Sequence, residues 1–258
     1  MARVFITGTT DGLGLAAARL LAEQGHTVVG HARNERRAQQ LRERLPEAET
    51  ILMADLSSRK QTVRLAELAN ELDPFDAVIH NAGIGYRERS KVTTEDGHAH
   101  VLAVNVLAPY ILTCLMHRPK RLVYLSSGMH HGGRVDTRDL DWERRPWNGS
   151  QAYSDSKLFD ATLAFAVARL WPDVLSNSLE PGWVPTKMGG PGAPDDITQA
   201  HITQAWLAVS DDPEAKVSGQ YFYHQKEVPP ALAAMDTGFQ DDLLATLEEL
   251  TSVPFPRS

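Results

Sequence analysis

The sequence predicts a single doubly wound α/β domain over residues 1–258, a parallel sheet of about seven strands with helices on both faces. Three observations carry this expectation. Short apolar runs alternate with segments of helical period, the pattern of repeated βαβ units. The first run passes straight into a glycine turn that opens a helix. Residues able to do chemistry fall just after strand ends, where ligands of open α/β sheets bind.

Arg3–Thr7 reads as a buried strand, followed by the turn Gly8-Thr9-Thr10-Asp11-Gly12-Leu13-Gly14. Apolar Leu13, Ala16, Ala17, Leu20 and Leu21 then recur at helical spacing until Gly25 ends the helix. Further strands are expected at Thr27–Val29, Thr50–Met53, Asp76–His80, Arg121–Ser126, Val174–Leu179 and Gln220–Tyr223. Helices are expected near 35–45, 58–72, 95–116, 152–170 and 196–208. The amphipathic stretch 239–250 reads as a C-terminal helix beside the pocket. Val101–Met116 and Leu158–Leu170 are apolar on nearly every side, whereas a helix on one sheet face needs only a stripe. A second buried face favours a subunit contact, hence a homodimer or homotetramer, over cover by other parts of the chain.

A formal charge of −7 argues against a nucleic-acid or anionic-membrane surface. Five arginines between Arg33 and Arg44 are expected mostly on a solvated helix face. One cysteine, Cys114, excludes an intramolecular disulfide and suits a reducing, cytoplasmic setting. A first strand at residue 3 predicts no signal peptide, and the Val101–Met116 run is too short to span a bilayer.

Strand, glycine turn and helix opening form a cradle for a pyrophosphate. The glycines let the backbone approach, and free N–H groups at the helix start face the anion. The spacing here is G-x-x-x-G-x-G. Downstream, Tyr153 and Lys157 stand four apart on a predicted helix and so share one face. A cation beside a phenol stabilises the phenolate, which lets the tyrosine give and regain a proton. Adjacent His130 and His131 point in different directions and find no third ligand at suitable spacing, so no metal is expected; lining the pocket or the surface is their expected place. Trp142 and Trp147 either wall an aromatic substrate site or pin their loop to the body.

Thr7-Gly8-x-x-x-Gly12-x-Gly14, Asn81-Ala82-Gly83, Asn105, Ser126-Ser127, Tyr153-x-x-x-Lys157 and Pro181-Gly182-x-x-x-Thr186 together resemble the short-chain dehydrogenase/reductase family, in order and spacing, from residue 2 to about 224. Glu95-Asp96-Gly97 and the long interval from Ser127 to Tyr153 resemble its branch of retinol dehydrogenases, WW-domain oxidoreductases and protochlorophyllide reductases. The resemblance implies a Rossmann fold in which Tyr153 is the proton donor to a carbonyl oxygen. Lys157 would lower the Tyr153 pKa and hold the nicotinamide ribose. Ser127, rather than Ser126, would bond the reacting oxygen, and Asn105 would anchor a water that relays protons to Lys157. Pro109, four residues beyond Asn105, has no N–H for the Asn105 carbonyl. A kinked helix with that carbonyl free to take the water's hydrogen bond is expected. A short substrate lid is implied at about 187–200.

The family's acidic reader of the NAD ribose is replaced here by Ala32, with Arg33 next to it. A guanidinium can bind a 2′-phosphate in a forked, charge-assisted pair. NADP(H) is therefore expected over NAD(H), although Asp11 stands where some NADP-binding members carry a basic residue. Implied cofactor contacts are Gly8, Thr10, Gly12, Leu13, Gly14, Arg33, Asn34, Asn81, Ala82 and Gly83, together with Tyr153 and Lys157. Asp55 and Leu56 would border the adenine, and Pro181, Gly182, Val184 and Thr186 the nicotinamide carboxamide. The expected activity is NADPH-dependent interconversion of a carbonyl and an alcohol in a small apolar or aromatic substrate. Alternatives are double-bond reduction, epimerisation or proton-transfer cyclisation at the same site, or a non-catalytic NADPH-sensing module.

Overall fold

The computed structural model describes residues 1–257. Its sheet comprises β1 (Arg3–Ile6), β2 (Thr27–Ala32), β3 (Thr50–Met53), β4 (Ala77–His80), β5 (Arg121–Leu125), β6 (Leu175–Glu180), β7 (Tyr221–Tyr223) and β8 (Lys226–Glu227). These lie in the order β3-β2-β1-β4-β5-β6-β7-β8. The first seven run parallel and β8 antiparallel. The chain moves outward from β1 to β3 and then returns to place β4 on the other side of β1. That reversal opens a crevice above the carboxyl ends of β1 and β4, and Gly8 and Asn81 follow those two strands.

β1 shows why both faces are covered. Val4, Phe5 and Ile6 are all fully buried, and successive strand side chains point to opposite faces. Phe5 belongs to a core shared with α3 (Arg59–Asn70), α5 (Ala108–Leu115) and α6 (Gly149–Leu170). Val4 and Ile6 pack on the other face with α1 (Gly12–Glu23), α2 (Glu35–Arg44) and α7 (Ile202–Val209).

The eighth strand lay outside the expected seven. Its two-residue turn places His224 at φ 46° and Gln225 at φ 61°. Hairpin turns of that kind normally announce themselves by glycine or asparagine, and neither is present here. The helix expected from 95 begins only at His100 with α4 (His100–Leu102). The residues before it serve another helix: Asp96 accepts the backbone N–H of Arg59 at 2.6 Å, which caps α3. Similarly, α7 starts at Ile202, later than the expected 196.

Between α4 and α5 the chain makes a π turn over Ala103–Leu107, with the Ala108 N–H bonded to the Ala103 carbonyl. The distortion expected around Asn105 takes this form, a widened turn immediately ahead of Pro109.

The apolar wrap of the two central helices has an intramolecular cause. α8 (Leu232–Met235) and α9 (Thr237–Thr251) lie against α6. Phe239 meets Phe159 at 6.2 Å, and Trp171 stacks on Phe255 at 5.2 Å. Tyr110 of α5 donates to the Val253 carbonyl at 2.8 Å. Each large side chain buried this way contributes about 1.5–3 kcal/mol. The C-terminal segment thus covers the faces that had suggested a subunit contact, and their apolar character is no argument for an oligomer.

Candidate active site

A cavity of about 970 Å³ opens over the carboxyl ends of the central strands. It brings together every catalytic and cofactor-contact residue expected from the sequence except Asn34 and Asn105, which lie outside its lining.

At one end is the glycine turn. Gly8 adopts φ +72° and Gly12 φ +54°, backbone conformations that side chains disfavour. A Cβ on Gly8 would lie 2.9 Å from the Ala82 Cα, and one on Gly14 would lie 2.3 Å from Asn81 Nδ2. The β1 and β4 loops are therefore in direct contact, and hydrogen bonds lock them. Thr7 Oγ1 accepts the N–H groups of Asn81 and Ala82 at 3.0 Å each, and Asn81 Nδ2 donates to the Thr7 carbonyl at 2.9 Å.

His31 braces the same turn from β2. Its Nδ1 accepts the Gly8 N–H at 3.0 Å, and its Nε2 donates to the Ala54 carbonyl at 3.0 Å. Burial pushes its pKa down to about 4, so the ring stays neutral in the one tautomer that serves both bonds. The sequence reading passed over His31; a histidine inside an apolar strand was the available signal.

The charge around the turn is set by packing. Arg33 lines the cavity from the end of β2 and is exposed. Arg37 also lines it, donating to Thr10 Oγ1 at 2.8 Å. It is the cluster's exception to a solvated helix face. Asn34 caps α2 instead, accepting the Arg37 N–H at 3.1 Å. Asp11 caps α1 and is paired with Lys187, and it lies 3.7 Å from Arg37 and 3.8 Å from Arg44. The Lys187 hydrogen bond leads the effects that hold its carboxyl below the usual range. The one acidic residue that argued against a phosphate is thus surrounded by cations. The glycine turn, the helix start and the guanidinium groups of Arg33 and Arg37 along the same wall have the chemistry to hold the phosphates of a dinucleotide.

At the other end α6 supplies Tyr153 and Lys157. Asn148 caps the helix by accepting the Gln151 N–H. Ser126 Oγ donates to the Lys157 carbonyl at 2.7 Å, fixing α6 to the end of β5. Ser127 instead lines the cavity with Tyr153, and its side chain acts to lower the phenol's pKa. Lys157 Nζ lies 5.8 Å from the Tyr153 ring centre and donates to the Leu125 carbonyl and Asp160 Oδ2, both at 2.7 Å. Burial pushes the Tyr153 phenol up, and the pull of Lys157 and Ser127 does not reverse that direction. The expected lowering is therefore outweighed in this state by loss of solvent.

Asn105 is buried beneath this floor. Its Oδ1 accepts the Ile84 N–H at 2.9 Å, and its Nδ2 donates to the Ile84 carbonyl at 3.1 Å and to Ser156 Oγ at 3.0 Å. It ties the loop after β4 to α6.

Ile84, Tyr86, Val104, Met129, Trp183 and Met188 make the wall near Tyr153 mainly apolar, with Tyr86 edge-on to Tyr153 at 5.7 Å. Trp142 and Trp147 do not reach the cavity. They pack against each other at 5.5 Å, and Trp147 Nε1 donates to the Glu88 carbonyl at 2.8 Å, so they pin the loop. His130 is neither pocket-lining nor at the surface. Its Nδ1 bonds the Ser127 carbonyl at 2.8 Å and its Nε2 accepts the Ala231 N–H at 2.9 Å, clamping the serine loop to the C-terminal segment. Segment 187–189 borders the mouth, held by Lys187 to Asp11 and by Trp183 Nε1 to the Gly189 carbonyl at 3.1 Å. Among the described residues no helix is long and apolar enough to cross a membrane.

Comparison with known proteins agrees with this geometry. The short chain dehydrogenase family profile matches residues 2–196. An uncharacterized oxidoreductase of Emericella nidulans is 45% identical over 99% of both chains. A candidate daunorubicin C-13 ketoreductase of a Streptomyces species is 33% identical, over 84% of this chain and 82% of its own. Human retinol dehydrogenase 13 is 30% identical, over 98% of this chain and 85% of its own. Among solved structures, an uncharacterized protein from Mycobacterium paratuberculosis superposes with a TM-score of 0.83 at 26% identity, over 99% of this chain and 95% of that one. With the glycine cradle at one end of its cavity and the paired tyrosine and lysine at the other, this chain belongs to the short-chain dehydrogenase/reductase family of oxidoreductases, in the retinol dehydrogenase-like branch.

Proposed function

We propose that the protein is an NADPH-dependent reductase of ketones or aldehydes with an apolar body, able to run in reverse on the corresponding alcohol. The observation that carries this is that Ser127, Tyr153 and Lys157 line one continuous cavity with the glycine turn.

Arg33 and Arg37 would hold the 2′-phosphate, the Gly8–Gly14 turn the pyrophosphate, and Pro181 to Thr186 the carboxamide. Bound NADPH supplies the hydride to the carbonyl carbon. Ser127 donates a hydrogen bond to the carbonyl oxygen, where negative charge develops as the hydride adds. Tyr153 gives its phenolic proton to that oxygen, completing the alcohol and leaving a phenolate. Lys157 stabilises the phenolate until solvent protons restore it. The apolar wall from Ile84 to Met188 supports a hydrophobic substrate, and the ketoreductase name of the Streptomyces relative supports a carbonyl as the reacting group.

The test is a titration of the protein with NADPH and, separately, NADH by nicotinamide fluorescence, then a carbonyl screen with the preferred cofactor. Tight NADPH binding and turnover that Tyr153→Phe lowers about 10²–10⁴-fold is the expected result. Preference for NADH would overturn the phosphate assignment. Turnover retained in Tyr153→Phe would overturn the mechanism.

A further inference from the structure

Asp160 lies one turn beyond Lys157 on α6, below the floor of the cavity and outside its lining. It is 3% exposed, and its Oδ2 takes the Lys157 ammonium at 2.7 Å. Its Oδ1 is buried without a hydrogen-bond partner among the described residues. A half-satisfied carboxylate in a helix core is a costly feature, since breaking into or burying such a pair costs several kcal/mol. Packing alone would be better served by an apolar side chain.

The geometry gives it a task. Lys157 Nζ has two fixed acceptors, the Leu125 carbonyl and Asp160, which together hold it 5.8 Å from the Tyr153 ring centre. The lysine therefore meets Tyr153 with a carboxylate attached on its far side. Resting on the reading of the site as a carbonyl reductase, we propose that Asp160 is a positioning residue that anchors Lys157 and offsets its charge, keeping Tyr153 in the phenol form from which carbonyl reduction starts. Reduction needs Tyr153 to begin as a phenol, and oxidation needs it to begin as a phenolate. A bare buried ammonium favours the second state, and a neutralised one leaves the first.

The remaining titratable groups around the pair do not supply the same effect. Tyr86 faces Tyr153 from the loop after β4, Tyr124 from β5 lies within range of Asp160, and Tyr221 from β7 lies within range of both Tyr153 and Asp160. Burial drives Tyr124 and Tyr221 upward, so both stay neutral. Behind them His80 stacks near Tyr124 with its pKa pushed down to about 3 by burial, and Glu180 acts on Tyr221. Asp160 is the carboxylate in contact with the lysine.

The experiment is an ultraviolet tyrosinate titration of the intact protein, with Tyr153 isolated by subtracting the matching Tyr153→Phe variant. No substrate is needed, so failure here and failure of the reductase reading are separable. In Asp160→Asn the Tyr153 midpoint should fall by about one pH unit or more, because the uncompensated ammonium now favours phenolate. Asp160→Glu should restore most of the wild-type value. In a Lys157→Met background Asp160→Asn should move the midpoint less, since no ammonium is left for the carboxylate to position. Unchanged titration in folded Asp160→Asn overturns the proposal. So does an equal shift with and without Lys157, which would mark a general loosening of the core. Asp160→Ser is made in parallel, and if neither variant folds, Asp160 is a structural residue and the proposal falls.

Discussion

His31 Nδ1 accepts the backbone N–H of Gly8 at 3.0 Å, so the second strand holds in shape the turn that follows the first. The bond exists only while the ring is neutral. Burial has moved its pKa from 6.5 to about 4, and protons therefore favour the unfolded chain below pH 6.5. Its contribution to stability is complete above that value and is lost as the pH falls towards about 4, amounting to about 3 kcal/mol. His80 and His130, also depressed by burial, add to the same limb. Thermal melts between pH 7 and 4 should show a steep acid loss that is shallower in His31→Gln. An unchanged slope would remove His31 from this role.

Arg33 and Arg37 approach the glycine turn from the end of β2 and the start of α2. A charge-assisted hydrogen bond contributes about 1.5–3 kcal/mol. Arg33→Ala and Arg37→Ala should each weaken NADPH binding roughly 10–150-fold while leaving NADH binding within about twofold. Calorimetric titration with both cofactors distinguishes this from a general defect, in which both would weaken together.

Gly14 has no room for a methyl group. A Cβ there would lie 2.3 Å from Asn81 Nδ2 and 2.4 Å from the Gly8 carbonyl oxygen. Gly14→Ala should separate the β1 and β4 loops and weaken NADPH more than tenfold, an effect on the order of 1.4 kcal/mol or above. Normal NADPH fluorescence in this variant would show that the turn does not touch the cofactor.

Leu247 is fully buried where α9 covers the apolar helices. Leu247→Ala should cost about 2–5 kcal/mol of stability, read as a lower urea midpoint. Deleting residues 237–258 should bare the α6 face and cause association or precipitation, measured by light scattering. A truncated chain that stays monomeric and folded would contradict the cover described here.

Much of this site was legible because its signals are short. Gly8 to Gly14 span one turn, and Tyr153 and Lys157 one turn of helix, so local geometry alone places them together. The same locality let the strand ends locate Asn81, Ser127 and Pro181. Asn34 shows the limit of such reasoning, for it sits beside Arg33 in sequence yet spends its side chain capping α2. Arg37 shows the converse, since it reads as one more surface arginine but turns inward to Thr10.

Order, spacing and period thus sufficed for the parallel α/β class, the glycine turn between β1 and α1 and the tyrosine–lysine pair, because each depends on neighbours a few residues apart. Contacts between distant segments required the folded chain. His130 meets Ala231 across 101 positions, and Tyr110 meets Val253 across 143. The cover of α6 by α9, the cations around Asp11 and the burial that lifts the Tyr153 phenol are of the same kind. Desolvation and charge act through space, and the distances that set them exist only after the sheet has brought its strands together.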